Sequence, residues 1–128
     1  MNILLDTHIA LWAVIDSPKL STYARNLILD PRNSIWVSAV SVWEIAIKHS
    51  LQRGDMPISG EMAVRYFRAA GYLLLPIEVE HAAAVETLPL YHNDPFDRLL
   101  IAQARVASIY LLTNDTQIVR YKDLVNLL

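Results

Sequence analysis

Short apolar segments alternate with segments of helical periodicity along the whole sequence, and this alternation limits the folds that the chain can adopt. Strands are predicted at residues 3–5, 35–38, 72–75, 109–112 and 124–127. Helices are predicted at 7–14, 21–29, 39–51, 61–70 (with Gly71 as its cap), 78–86, from Asp94 onward, and briefly after Asp115. Such alternation builds βα units around a mostly parallel sheet that helices cover on both faces. The sequence therefore predicts an α/β fold.

Composition narrows the class of protein. The chain has 128 residues, of which 54% are hydrophobic, and its net charge is −2. Its apolar runs are shorter than the roughly 18 residues that a membrane-spanning helix needs, and its first residues lack the basic segment of a signal peptide. The lack of cysteine excludes disulfides, thiol catalysis and thiolate metal sites. We expect a cytoplasmic protein with no membrane partner, in which any nucleic acid is held by a local basic cluster.

One helix is predicted to begin within the segment from His92 to Asp97. Asp94 is placed to accept backbone N–H groups as the N-cap, and Pro95 at the first helical position loses no hydrogen bond. Asp97 follows in the first turn. The helix dipole favours an acid there whatever the protein does, so Asp97 by itself has a structural explanation as good as a functional one.

Two further acids follow predicted strands. Asp6 ends the first strand, and Asp115 lies just beyond the strand at 109–112. Each one alone has the position of a helix cap. The carboxyl ends of parallel strands share one edge of a sheet, so these acids and Asp97 are expected to converge there. Converging like charges repel each other and call for a cation.

Glu44 makes a metal the stronger explanation. It lies on a helix that is apolar almost all round, and a helical wheel places it within the stripe of Val40, Ile47 and Leu51, away from Ser41 and Lys48. A buried carboxylate is costly unless it is paired or hydrogen-bonded. Two explanations follow: a salt bridge to an arginine such as Arg98, or a divalent metal bound by oxygen ligands.

The available ligands indicate the type of metal. Carboxylates without thiolates favour Mg²⁺ or Mn²⁺. The four histidines, which are His8, His49, His81 and His92, do not have the spacing of a zinc site. Each is more typical of a surface or core polar residue than of a ligand, and His92 stands out only because it flanks the acidic turn.

Four motifs occur in order along the chain. They are Asp6-Thr-His at the end of the first strand, Ser38-x-x-Ser41-x-Trp43-Glu44-Ile45 on a helix, Asp94-Pro-Phe-Asp97-Arg-Leu-Leu-Ile-Ala-Gln-Ala at a helix start, and Thr113-Asn-Asp115 after a late strand. Together they resemble the PIN domain, most closely the VapC-type toxins of bacterial toxin–antitoxin pairs. The resemblance covers essentially the whole chain and implies one domain over residues 1–128, folded as a three-layer α/β/α sandwich with a mostly parallel central sheet.

The resemblance also implies a function. It implies a metal-dependent endoribonuclease in which Asp6, Glu44 and Asp97 bind the metal and Asp115 completes the catalytic set. Asp94 is a possible further ligand, with a helix cap as its other role. Carboxylate-bound Mg²⁺ or Mn²⁺ neutralises a scissile phosphate and lowers the pKa of a bound water for in-line attack on RNA. The implied partners are the RNA substrate, a small cognate antitoxin and a second copy of the chain in a homodimer.

Residues that bind RNA are harder to predict. Arg98 adjoins Asp97, although pairing with an acid explains it equally well. Thr113 and Asn114 have groups that can orient a water or a phosphate, and a surface turn is their alternative role. Other basic candidates, each of which is also typical of a solvated face, are Lys48, Arg53, Arg65 and Arg68.

Two other functional classes remain open from the sequence. Haloacid-dehalogenase-like and response-regulator-like phosphotransfer domains also gather acids and Mg²⁺ at strand ends. The first needs an acid at position 8, where this chain has His8, and the second needs paired acids where Asp6 has Leu5 and Thr7 as neighbours. A non-catalytic binding module, with acids that only cap helices, is the other class.

Overall fold

Four parallel strands form the centre of the protein in a computed structural model that describes residues 1–52 and 55–128. The strands are β1 (Asn2–Leu5), β2 (Ser34–Ser38), β3 (Leu73–Leu75) and β4 (Tyr110–Leu112). Their order in the sheet is β3-β2-β1-β4, and every pairing is parallel. The predicted α/β fold with a parallel sheet is confirmed.

The helices follow the strands in the predicted order. They are α1 (Thr7–Val14), α2 (Thr22–Leu29), α3 (Ala39–Ser50), α4 (Gly60–Ala69), α5 (Val79–Ala84), α6 (Pro95–Ala107) and α7 (Thr116–Val119). Gly71 follows α4 with a φ of +82°, the left-handed conformation that glycine adopts without strain, as predicted for the cap. Within the described residues, none of the helices combines the length and the apolar character that crossing a bilayer requires.

Two predicted elements differ from the structure. The predicted helix at 78–86 ends at Ala84, and the chain tightens into a 3₁₀ turn at Val85–Thr87. The predicted strand at 124–127 is absent among the described residues, because the segment makes only an isolated bridge between Leu127 and Leu111.

Side chains of β1 alternate between two hydrophobic clusters, one on each face of the sheet. Ile3 and Leu5 belong to the cluster that includes α1, α2 and α4, whereas Leu4 belongs to the cluster that includes α6 and Tyr121. Ile3, Leu4 and Leu5 are all fully buried. Helices therefore cover both faces of the sheet, which is the three-layer sandwich that the sequence predicted.

Candidate metal centre

The carboxyl ends of β1 and β4 place Asp6 beside Thr113. The strands pair in register at Leu5 and Leu112, so the residues that follow them leave the sheet side by side. Asp6 is the N-cap of α1: its Oδ1 accepts a hydrogen bond from the Ile9 N–H at 2.9 Å. Its Oδ2 accepts a hydrogen bond from the Thr113 hydroxyl.

Thr113 also joins this pair to Asp115. The backbone N–H of Asp115 donates to Thr113 Oγ1 at 3.0 Å, and the Asp115 side chain caps α7 by accepting from the Gln117 N–H at 2.8 Å. Asp6 and Asp115 therefore serve as helix caps, as the structural explanation predicted, and also lie at one edge of the sheet. The Thr113 hydroxyl is engaged by Asp6, whereas Asn114 is exposed.

The start of α6 has the predicted geometry. Asp94 is the N-cap, its Oδ1 accepts from the Asp97 N–H at 3.0 Å, and Pro95 occupies the first helical position. Asp97 Oδ2 lies 2.8 Å from Nε2 of His92, within hydrogen-bonding distance. The two acids therefore have different roles at the helix start. Asp94 accepts the backbone hydrogen bond that caps the helix, whereas the two carboxylate oxygens of Asp97 take no part in the cap.

Glu44 is buried on α3, with only 3% of its surface exposed. Its Oε2 accepts from the Lys48 ammonium at 2.6 Å, and its Oε1 has no hydrogen-bond partner among the residues that the structure describes. The suggested salt bridge to Arg98 is wrong, because the partner is Lys48. The placement of Glu44 away from Ser41 and Lys48 is also wrong: positions i and i+4 share a helix face, and Ser41 is buried as Glu44 is.

Arg98 holds the chain that precedes α6. Its guanidinium donates to the carbonyls of four residues, which are Val85, Leu88, Pro89 and His92, at 3.1–3.3 Å. It also donates to the Tyr121 hydroxyl at 3.1 Å, and that hydroxyl in turn donates to the Pro89 carbonyl at 2.8 Å. These contacts favour a structural role for Arg98, and RNA binding by this residue stays a prediction.

Burial and neighbouring charges raise the pKa of two of the acids, Asp97 and Asp6. Burial, with a smaller contribution from the charges of Asp94, Glu44 and Asp115, raises the pKa of Asp97 from 3.8 to about 6 against the opposing effect of the His92 hydrogen bond. Burial likewise raises the pKa of Asp6, although hydrogen bonds from Thr113 and Ile9 oppose the rise. The acids from α3, α6 and the end of β4 therefore lie close enough for each to act on the Asp97 carboxylate.

The tightest group of possible metal ligands differs from the predicted set. Among the described residues, the ligand atoms of His92, Asp94 and Asp97 all lie within 4.8 Å of one another. Glu44 and Asp115 lie outside this group but close enough for their charges to act on Asp97, and Asp115 in turn acts on Asp6. From the sequence His92 was predicted to be a surface or core polar residue, and its place beside the acidic turn, five residues before Asp97, was the one signal that pointed to the site.

The remaining basic candidates have varied settings. Arg53 lies outside the described residues. Arg65 pairs with Glu61 on the exposed face of α4 at 3.1 Å. Arg68, near the end of the same helix, lines an apolar cavity of about 550 Å³ together with Trp43 and β3 residues. Lys48 is the basic candidate that contacts one of the predicted acids.

Comparison with known proteins gives the family. A family model described as PIN domain matches residues 3–124. No curated protein sequence matches the chain significantly. Similar folds occur in VapBC2 from Rickettsia felis bound to a promoter DNA fragment, with a TM-score of 0.71, 18% identity, and coverage of 100% of this chain and 98% of that chain.

Two other solved structures have folds similar to that of this chain. DNA-bound VapBC from Salmonella typhimurium has a TM-score of 0.72 and 13% identity, and the match covers 100% of this chain and 97% of that chain. FitAcB from Neisseria gonorrhoeae has a TM-score of 0.61 and 20% identity, with 98% and 95% covered. At these identities the structures show the shared fold. Since the family match spans nearly the whole sequence, the chain belongs to the PIN domain family.

Proposed function

We propose that this protein is an endoribonuclease that depends on Mg²⁺ or Mn²⁺, and that it is the toxin of a toxin–antitoxin pair. Its membership of the PIN domain family supports a nuclease. The similar folds in VapBC and FitAcB support the toxin assignment. The phosphotransfer and non-catalytic alternatives gain no comparable support.

The setting of Asp97 among other acids carries the proposal. Burial is the main cause of its raised pKa of about 6, and the charges of three nearby carboxylates, those of Asp94, Glu44 and Asp115, act in the same direction because like charges repel. Glu44 adds a buried oxygen without a partner among the described residues. A divalent cation would relieve both conditions, because it neutralises carboxylates and accepts their oxygens as ligands. The residues present therefore fit such an ion.

The structure suggests which side chains would hold the cation. His92, Asp94 and Asp97 form the tightest group of metal-ligand atoms, and Glu44 Oε1, on the neighbouring helix, is a ligand oxygen without a hydrogen-bond partner among the described residues. Asp6 and Asp115 are the further acids of the predicted catalytic set. Bound there, Mg²⁺ or Mn²⁺ would neutralise a scissile phosphate and lower the pKa of a water.

The protein's own residues orient these acids. The Thr113 hydroxyl and the Ile9 N–H fix the two oxygens of Asp6, and His92 restrains Oδ2 of Asp97. Arg98 and Tyr121 hold the segment that carries His92, since the Tyr121 hydroxyl accepts from the His92 N–H at 3.0 Å. Because these hydrogen bonds fix the side chains in advance, the acids need less rearrangement when a phosphodiester binds.

The proposed partners follow from the same assignment. The RNA backbone would meet local cations, because the net charge of −2 supplies no general attraction. We assign the half-exposed Trp43 and the apolar cavity beside it to a protein partner, a cognate antitoxin or the second copy in a homodimer.

The test is cleavage of RNA by the purified protein with Mn²⁺ or Mg²⁺, compared with EDTA. We expect Asp97→Asn and Glu44→Gln to slow cleavage by roughly two orders of magnitude or more, as when a group that stabilises developing charge is removed. Glu61→Gln, an exposed acid on α4, is the matched control and should cut at the wild-type rate. Circular dichroism checks that each variant folds. Cleavage that survives EDTA, or an Asp97→Asn protein as active as wild type, would overturn the proposal.

A further inference from the structure

Lys48 and Glu44 form an ion pair at the edge of the candidate metal centre. The Lys48 ammonium lies 2.6 Å from Glu44 Oε2. The Glu44 side chain is 4% exposed, whereas that of Lys48 is 32% exposed. One member of the pair is therefore fixed in the interior, and the other has a path to water.

The ion pair compensates the buried charge of Glu44, as a bound metal ion would. A buried carboxylate needs an opposite charge, and Lys48 supplies one from the next turn of the same helix. The remaining oxygen of Glu44 stays without a partner among the described residues. Lys48 thus neutralises the charge of Glu44 but leaves its hydrogen-bonding capacity half used.

A cation at Glu44 and the Lys48 ammonium would repel each other. Both are positive, and electrostatic repulsion over a few ångströms is weakly screened next to a buried group. Lysine has a flexible four-carbon stem and a strongly hydrated ammonium. Its partial exposure lets the ammonium turn into water without a change in α3, whereas Glu44 has no such freedom.

We propose that Lys48 competes with the divalent cation for Glu44. It holds the carboxylate while the cation is absent and withdraws into solvent when the cation binds. The proposal rests on the proposed function, because it takes Glu44 as one of the acids that face the cation. Its consequence is a lower metal affinity, so that Lys48 sets the metal concentration at which the site fills.

The first test is calorimetric titration of the metal-free protein with Mn²⁺. Lys48→Met removes the charge and keeps the length of the side chain, and we expect it to bind Mn²⁺ on the order of tenfold more tightly than wild type. Lys48→Arg keeps the charge and should bind no more tightly than wild type. Lys122 is exposed and lines a pocket with Arg105 and Ser108, beyond the end of α6 that is opposite Asp97. Lys122→Met changes the net charge equally and should leave the affinity near that of wild type.

The titration separates the two proposals. If wild type binds Mn²⁺ and Lys48→Met binds no more tightly than Lys122→Met, the competition is overturned while the metal site stands. Weaker binding by Lys48→Met also overturns it, because Lys48 would then be helping to position Glu44. Wild type that binds no Mn²⁺ contradicts the proposed function itself.

The second test needs no substitution and therefore does not depend on how a variant folds. Brief acetylation of the wild-type lysines, read by peptide mass spectrometry, is compared in EDTA and in saturating Mn²⁺. We expect the labelling of Lys48 to rise several-fold with Mn²⁺, because the released ammonium is exposed to the reagent, while the labelling of Lys122 stays constant. Equal labelling of Lys48 in the two conditions, in protein shown by titration to bind Mn²⁺, would overturn the competition.

Discussion

Asp97 and Glu44 are both poorly exposed carboxylates on neighbouring helices, but the protein compensates their charges differently. Asp97 lies in the first turn of α6, where the positive end of the helix dipole favours an acid, and it is hydrogen-bonded to His92. Glu44 lies in the middle of α3, where the helix offers no free N–H groups, and its compensation comes from Lys48.

This difference shows that the position of a buried acid in a helix determines which groups must compensate its charge. At a helix start, backbone donors and the dipole are available before any other side chain contributes. In a helix interior, the backbone is already paired, so a buried carboxylate depends on side chains or an ion. Glu44 is for this reason the stronger sign of a cation site in the sequence, although Asp97 has the closer group of ligands around it.

The largest effect expected in the comparison concerns pH. The pKa of Asp97 is raised from 3.8 to about 6 on folding, so between these values the folded chain binds a proton that the unfolded chain has released. The contribution of Asp97 to the free energy of unfolding of the metal-free protein should therefore be fully present below about pH 4. It should be lost as the pH rises through about 6, a loss of roughly 3 kcal/mol. Asp97→Asn should largely remove the fall.

Urea unfolding in EDTA at a series of pH values measures this effect. The raised pKa of Asp6 acts in the same direction, so a smaller decline should remain in Asp97→Asn. Wild-type stability that rises between pH 4 and 6, or a decline that is unchanged in the variant, would contradict a pKa of Asp97 raised by burial and neighbouring charge.

The next effect concerns the partner of Glu44. Lys48→Met leaves a buried carboxylate without its opposite charge, and we expect a loss of about 2 kcal/mol in the free energy of unfolding in EDTA, less than for a fully buried pair because Lys48 is partly exposed. Urea unfolding at pH 7 measures it, with Lys122→Met as the control. If both variants lose the same small amount, Glu44 does not depend on Lys48.

The smallest effect concerns the partner of Asp97. His92→Ala should cost only about 1 kcal/mol at pH 7, because the helix dipole continues to favour the acid after the hydrogen bond is lost. The same substitution should raise the pKa of Asp97 further, since the His92 hydrogen bond lowers it, and the decline in stability should then extend to higher pH. A cost larger than that of Lys48→Met would reverse the comparison.

The sequence was sufficient for the fold because its patterns are local. Asp94-Pro95 fixes the start of α6, Gly71 fixes the end of α4, and the apolar segments become strands with boundaries shifted by about one residue. The segment at 124–127 has a similar apolar pattern. Whether it becomes a strand depends on how many of its residues pair with β4, and the apolar pattern gives no information about that pairing.

The site was predictable only in part. Strand ends and helix starts indicated the acids, since parallel topology brings those positions to one edge. The contacts of long side chains were not predictable from the same rules: Arg98 turns toward four carbonyls rather than Glu44, and Lys48 turns toward Glu44. Such choices depend on where distant backbone groups lie after folding.

Metal-dependent stability tests most directly whether acids from separate elements bind a shared divalent cation. Unfolding of wild type, Asp97→Asn, Glu44→Gln and the control Glu61→Gln is compared in EDTA and in Mn²⁺. Wild type and Glu61→Gln should gain about 2.7 kcal/mol when Mn²⁺ is at a hundredfold excess over its Kd. Asp97→Asn and Glu44→Gln should each lose most of that gain, although α6 and α3 are far apart in sequence. No gain in wild type, or the full gain in both variants, would contradict a shared cation.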